Sequence, residues 1–252
     1  MRIVGSAAAL TLVAALAVGC GAVVDGSAKP APNLKPRPLA GETVRGVLLD
    51  GATLSRMLGQ TFVARKQPEF GGPEKLNDTD RSTSPPGCLG VTAMLQKNVY
   101  PPGDVSDVAS ESWWNNGEPA QVLTVLEGVV ALPSVADAQA LFAKFTQQWQ
   151  QCTGTTTTEH TGPISTTNNI SDVRVVNSIV AATNTATSVL PNMPPLRPTP
   201  QARAIGVQMN CLVEVDVVFF GGRRSSDPGS ATVDTSAIDI AHTLMDRVSA
   251  LS

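Results

Sequence analysis

Residues 203–220, RAIGVQMNCLVEVDVVFF, carry the strongest strand signal in the chain. Val213, Val215, Val217 and Phe219 alternate with Glu214, Asp216 and Val218. That period of two belongs to a strand with two unlike faces. The run is long for one straight strand, and a bend is expected near Asn210. Alternation sets Cys211 beside Val213 and Val215, as a buried and inert thiol. Glu214 and Asp216 fall on the opposite face, about 7 Å apart. Two such carboxylates raise each other's pKa when they are shielded from water. A solvated sheet face with Arg174 as partner is one reading of them, and the wall of a ligand cleft is the other.

Further strands flank this one. Val105–Trp114 and Gln121–Leu132 surround Asn115-Asn116-Gly117-Glu118-Pro119, a hairpin signal. Thr153–Thr161 and Val173–Thr183 also read as strands. Four helices are expected. Asp50 caps a short one that Gly59 stops. A second runs from Cys88 to about Val99. The third starts at Ser134, with Asp137 completing a capping box. Its Val135, Ala138, Leu141, Phe142, Phe145 and Trp149 recur at helical spacing up to Cys152. The last is capped by Asp234 or Thr235 and carries the stripe Ile238, Ala241, Leu244, Met245 and Val248. Residues 66–87 and 184–200 are rich in Pro, Ser, Thr and Gly and read as long loops, a common place for a binding-site rim. Gly221–Ser230 reads as a turn. Consecutive strands with helices before, between and after them give an α+β fold. The expectation is one domain, an antiparallel sheet with its helices packed mainly on one face.

The amino terminus sets the compartment. Arg2 is the only charge before Asp25, and Ile3–Val18 is apolar or small throughout. About 15 such residues are short for a membrane span and suit a signal peptide. Ala17-Val18-Gly19-Cys20 resembles the lipobox of bacterial lipoproteins, with Leu16 one place before its usual position. The resemblance implies cleavage before Cys20 and acylation of that cysteine, which two or more acyl chains make a stable anchor. Residues 21–45, with four prolines, read as a flexible linker. The expected organisation is therefore signal peptide 1–19, lipidated Cys20 and linker 20–45, and a folded domain 46–252 on the extracytoplasmic side of the cell membrane.

Net charge is −3 and no lysine or arginine run occurs, which argues against nucleic acid as a partner. Besides Cys20, the cysteines are Cys88, Cys152 and Cys211, at spacings that fit no zinc motif. The two histidines, His160 and His242, stand in no triad or metal-binding pattern, and no nucleophile elbow is present. No catalytic set, cofactor or metal site is therefore expected. Trp113-Trp114 ends a strand, so its two rings point to opposite faces. One ring is expected in the core, and the other is a candidate platform for a sugar or lipid.

Several segments together resemble the extracellular sensor domain of the mycobacterial serine/threonine kinase PknH and the free-standing lipoproteins that carry it. They are Leu54–Gly59, Cys88-Leu89-Gly90 before Tyr100, Trp149-Gln150-Gln151-Cys152, the strand from Arg203-Ala204-Ile205 to Val217, and Ile238–His242. The resemblance implies an antiparallel sheet with helices, two disulfides, and a cleft for an unknown ligand. It also implies that Cys88 pairs with Cys152; pairings through Cys211, or three free thiols, are the alternatives. The second disulfide departs from the family pattern, with Gln201 standing where a cysteine is usual and Phe219-Phe220 closing the strand. Kinase motifs are absent from the sequence. The expected function is capture of a small-molecule, glycan or lipid ligand in a cleft, with Trp113, Trp114, Arg174, Glu214 and Asp216 as candidate cleft residues. A scaffold for envelope proteins and a hydrolase with an unrecognised site are the alternatives. Oligomeric state is not legible.

Overall fold

The computed structural model describes residues 36–78, 82–101, 103–117, 119–222 and 226–252. The expected signal peptide, Cys20, most of the linker, and Glu118, Arg223 and Arg224 of the expected turns lie outside them. In chain order come α1 (Gly51–Leu58), β1 (Phe62–Ala64), β2 (Glu69–Gly71), β3 (Ser82–Ser84), α2 (Leu89–Thr92), β4 (Asp107–Asn115) and β5 (Val122–Ala131). They are followed by α3 (Val135–Gln151), β6 (Thr156–Thr161), β7 (Ile164–Val176), β8 (Ile179–Val189), β9 (Thr199–Gln208), β10 (Cys211–Phe219) and α4 (Ser236–Leu251). The strands form one antiparallel sheet in the order β1-β4-β5-β10-β9-β8-β7-β6-β3, with β2 also pairing to β4. The α+β class is as expected.

Local chemistry explains most element boundaries. The Asp50 carboxylate accepts the Thr53 N–H at 2.8 Å and caps α1, and Gly59 ends it at φ +65°. Ser134 caps α3 by accepting the Asp137 N–H at 3.2 Å, while its hydroxyl donates to the Asp137 carboxylate at 2.6 Å in place of the backbone N–H of a full capping box.

The run 203–220 is not a bent strand but the core of a hairpin. Cys211 pairs with Gln208, so Met209 and Asn210 alone make the turn, with Met209 at φ +51°. The expected strand 173–183 is likewise a hairpin, reversing at Asn177-Ser178 with φ of +45° and +63°. The expected helix after Cys88 lasts only one turn. Ala93 is extended, and Leu95 turns to φ +54° so that its N–H reaches the Glu214 carboxylate at 3.1 Å. The 66–87 loop contributes two short strands, β2 and β3.

Helices cover both faces of the sheet, not mainly one. On one face α1 and α4 pack against Cys211, Val213, Val215, Val217 and Phe219 of β10. On the other, α2 and α3 pack against Leu212 of β10, Ile205 of β9 and Val180 of β8. Odd and even positions of one strand thus enter two separate cores. Cys88 and Cys152 form a disulfide, with Cα atoms 5.8 Å apart, tying the chain before α2 to the end of α3.

The folded body starts earlier than residue 46. Leu39 and Val44 are buried in the α4-side core, and the Asn210 side chain clasps Leu39. It accepts the Leu39 N–H at 2.7 Å and donates to the Leu39 carbonyl at 2.9 Å.

Candidate ligand cleft

The face that carries α2 and α3 is apolar only where those helices lie on it. Ile170, Val180, Ala182, Ile205 and Leu212 fill that half. Along the same strands it then becomes polar, with Thr166 and Asn168 on β7, Ser188 on β8, and Thr199 and Gln201 on β9. Register sets these rows side by side, Thr166 opposite Ser188 and Asn184 opposite Gln201. Above them is a cavity of about 300 Å³, closed at its margins by Thr92 of α2, Glu159 of β6, and Leu196 and Arg197 from the 190–198 segment.

The floor is tied together by its own amides. Asn184, fully buried, donates to the Gln201 side-chain oxygen at 2.8 Å and to the Asn168 oxygen at 3.3 Å. Thr166 and Ser188 hydroxyls are 2.9 Å apart, and Thr92 donates to the Glu159 carboxylate. Asn184 Oδ1 has no hydrogen-bond partner. The lining is a field of hydroxyls and carboxamides with one acid and one guanidinium. Such a surface suits a polar ligand of low net charge.

The residues expected to form the cleft are not brought together. Glu214 is buried, and its face is roofed by α2 rather than solvated. It accepts Arg203 Nη2 at 2.9 Å, the Leu95 N–H and the Tyr100 hydroxyl. Arg203 is itself without exposure and donates to the carbonyls of Gly90, Val91 and Val215. Burial first, and then the Glu214 charge, push the Tyr100 hydroxyl well above its usual pKa. This network holds α2 and the residues just after it, as far as Tyr100, to the sheet. Asp216 is buried beside it, with Arg203 as its cross-strand neighbour. Arg174 is not their partner; it pairs with Asp172 and donates to the Asp234 carbonyl.

The tryptophans sit at the far end of the sheet from the polar floor, on β4. Trp113 packs on the α4-side core and donates to Glu127 at 3.0 Å. Trp114 is stacked by Arg65, 4.0 Å from the ring centroid. Cys211 is buried, and desolvation raises its thiol pKa to about 12, which suits an inert core residue. His160 is exposed on β6 and His242 half-buried on α4. Among the described residues no three His, Cys, Asp or Glu side chains converge as metal ligands, and no helix is long and apolar enough to cross a membrane.

The 184–200 stretch, read as a candidate rim, does supply Ser188, Leu196, Arg197 and Thr199, but as strand ends and their connection rather than as one long loop; the β7 residues went unread because 164–172 show little apolar alternation. Thr166, Asn168 and Ile170 share one face, but only the last is apolar.

Comparison with known proteins agrees with this architecture. The model of the family described as the PknH-like extracellular domain matches residues 39–247. The crystal structure of the extracellular domain of PknH from Mycobacterium tuberculosis superposes with a TM-score of 0.69 at 20% identity, covering 85% of this chain and 98% of that one. An uncharacterised protein from Mycobacterium smegmatis aligns more loosely, with a TM-score of 0.40 at 14% identity over 82% of this chain and 96% of that one. No curated protein matches the sequence. The family model spans most of the chain, from the Leu39 clasp into α4, and on that match the chain belongs to the PknH-like extracellular domain family.

Proposed function

We propose that this protein is a lipid-anchored extracytoplasmic receptor that captures a hydroxyl-rich ligand, of the glycan or polyol class, in the polar cleft over β6–β9. The observation that carries the reading is the amide and hydroxyl floor made by Thr166, Asn168, Ser188, Thr199 and Gln201 around Ala186. Hydroxylated ligands are recognised by many modest hydrogen bonds rather than by one strong charge pair, each contributing about 0.5–1.5 kcal/mol. The pre-tied floor lowers the ordering cost of such binding. The lipobox-like Ala17–Cys20 and the extracellular character of the family support the compartment.

Two measurements test the reading. A thermal-shift screen of envelope glycans, muropeptides and lipids should find a ligand of the first kind. At 100 times its dissociation constant it should add about 2.7 kcal/mol to stability. Asn168→Ala and Gln201→Ala should each weaken it by roughly 3- to 10-fold. A hit that both substitutions leave untouched would place the ligand elsewhere. For the anchor, mass spectrometry of the membrane fraction should find an acylated Cys20 at the amino terminus; an intact signal peptide on soluble protein is the contrary result.

A further inference from the structure

The β4 edge of the sheet is interrupted. β1 pairs with Trp113–Asn115 and β2 with Val108–Ser110, leaving Glu111 and Ser112 with no strand beside them there. The chain from Arg65 to Pro68 bridges the interruption. Two cavities meet at it. The inner one, about 80 Å³, is lined by Leu95, Leu126 and Glu127 among others; the outer and larger one is lined by Leu49, Ala64, Pro68 and Trp113. Glu111, Lys66 and Gln67 line both.

Glu111 stands directly opposite Glu127 across β4 and β5, and both are buried. Their situations differ. Glu127 is fully engaged: the Leu49 N–H reaches both of its oxygens at 3.1 Å, and Trp113 donates to it at 3.0 Å. Glu111 is 5% exposed, and its Oε1 has no hydrogen-bond partner. A buried carboxylate oxygen without a donor is costly. Of the nearby cations, Arg65 lies over the Trp114 ring, and Lys66 bonds to Glu69 and reaches Glu111 only as a charge, without a hydrogen bond. Among the described residues no three acidic side chains converge here as metal ligands, whereas an ammonium group brings three donors and one charge. The outer cavity offers apolar walls and an indole, a surface suited to a carbon stem next to a cation.

We propose that this opening binds a primary ammonium group on a short aliphatic stem, with Glu111 Oε1 as its charged partner and the stem along Leu49, Ala64, Pro68 and Trp113. The site is separate from the polar cleft and does not depend on that reading.

n-Butylammonium titrated into the full chain, followed by tryptophan fluorescence, tests it, with 1-butanol as the uncharged match. The expected result is saturable binding of the amine alone, weakened at least tenfold by Glu111→Gln. Lys66→Gln, which removes the competing resident ammonium, should tighten binding at least threefold. Equal responses to amine and alcohol overturn the proposal, as does no saturation with the unaltered protein. An E111Q protein that binds within twofold of the parent, or a K66Q protein that binds no more tightly, also overturns it.

Discussion

Glu127 has no exposure, and desolvation raises its carboxyl pKa from 4.5 to about 8; the Trp113 and Leu49 donors lower it only in part, and the Glu111 charge adds to the rise. A raised folded-state pKa means that the folded protein keeps a proton the unfolded chain has lost. Stability is therefore fully present below pH 4.5 and falls as pH rises toward 8, by up to about 1.4 kcal/mol per pH unit. Urea denaturation between pH 5 and 8.5 should show that decline, and Glu127→Gln should flatten most of it. The remaining slope belongs to Glu111, whose burial shifts it in the same direction. At this scale the sequence was half legible. Alternation correctly set Glu214 and Asp216 on the face opposite Val213 and Val215. It carried no information on what lay over that face. Arg203 and Tyr100 come from 11 and 114 residues away, so the buried network around Glu214 has no local signature.

Among the elements, those with chemistry at their own ends were readable. The Asp50 and Ser134 caps and the apolar stripes of α3 and α4 are local signals, and all four stand where expected. The hairpins at 177–178 and 209–210 were not readable, because neither turn contains glycine. Asn177, Ser178 and Met209 carry positive φ only because the paired strands hold them there. Local preference and tertiary pairing disagree at these sites. Glycine at the second turn position removes the disagreement at β7–β8. Ser178→Gly should stabilise the protein by about 1 kcal/mol, seen as a higher urea midpoint with unchanged slope. The helix after Cys88 failed for a related reason. Val91, Met94 and Leu95 do stand at helical spacing, but Leu95 and Tyr100 are drawn to Glu214 instead of continuing the turn.

For the whole molecule, two cores on one sheet explain why both ends of the domain matter. Leu39 and Val44 belong to the α4-side core, so a chain beginning at residue 46 should be less stable than one beginning at 36. Each buried apolar side chain contributes roughly 1.5–3 kcal/mol, which predicts a loss of about 3–6 kcal/mol by equilibrium unfolding. The other core depends on Cys88–Cys152, which closes a long loop across α2, β4, β5 and α3. Reduction should cost about 2–5 kcal/mol, and a melt with and without reductant should separate the two forms by several degrees. Composition and patterning disclosed the fold class at this scale, whereas the division of helices between two faces depends on long-range packing that no segment encodes by itself.

The Leu39–Asn210 clasp also has a mechanical meaning. The chain enters the folded body at a point hydrogen-bonded straight to the turn joining β9 and β10, and the same Asn210 amide donates to Leu132 at the end of β5. A pulling force applied to the chain at Leu39 is therefore delivered to the middle of the sheet and not to a fraying edge. The body can be pulled on at this point without being peeled from a rim, and whatever loosens Asn210 would free the stretch before Val44 ahead of any strand.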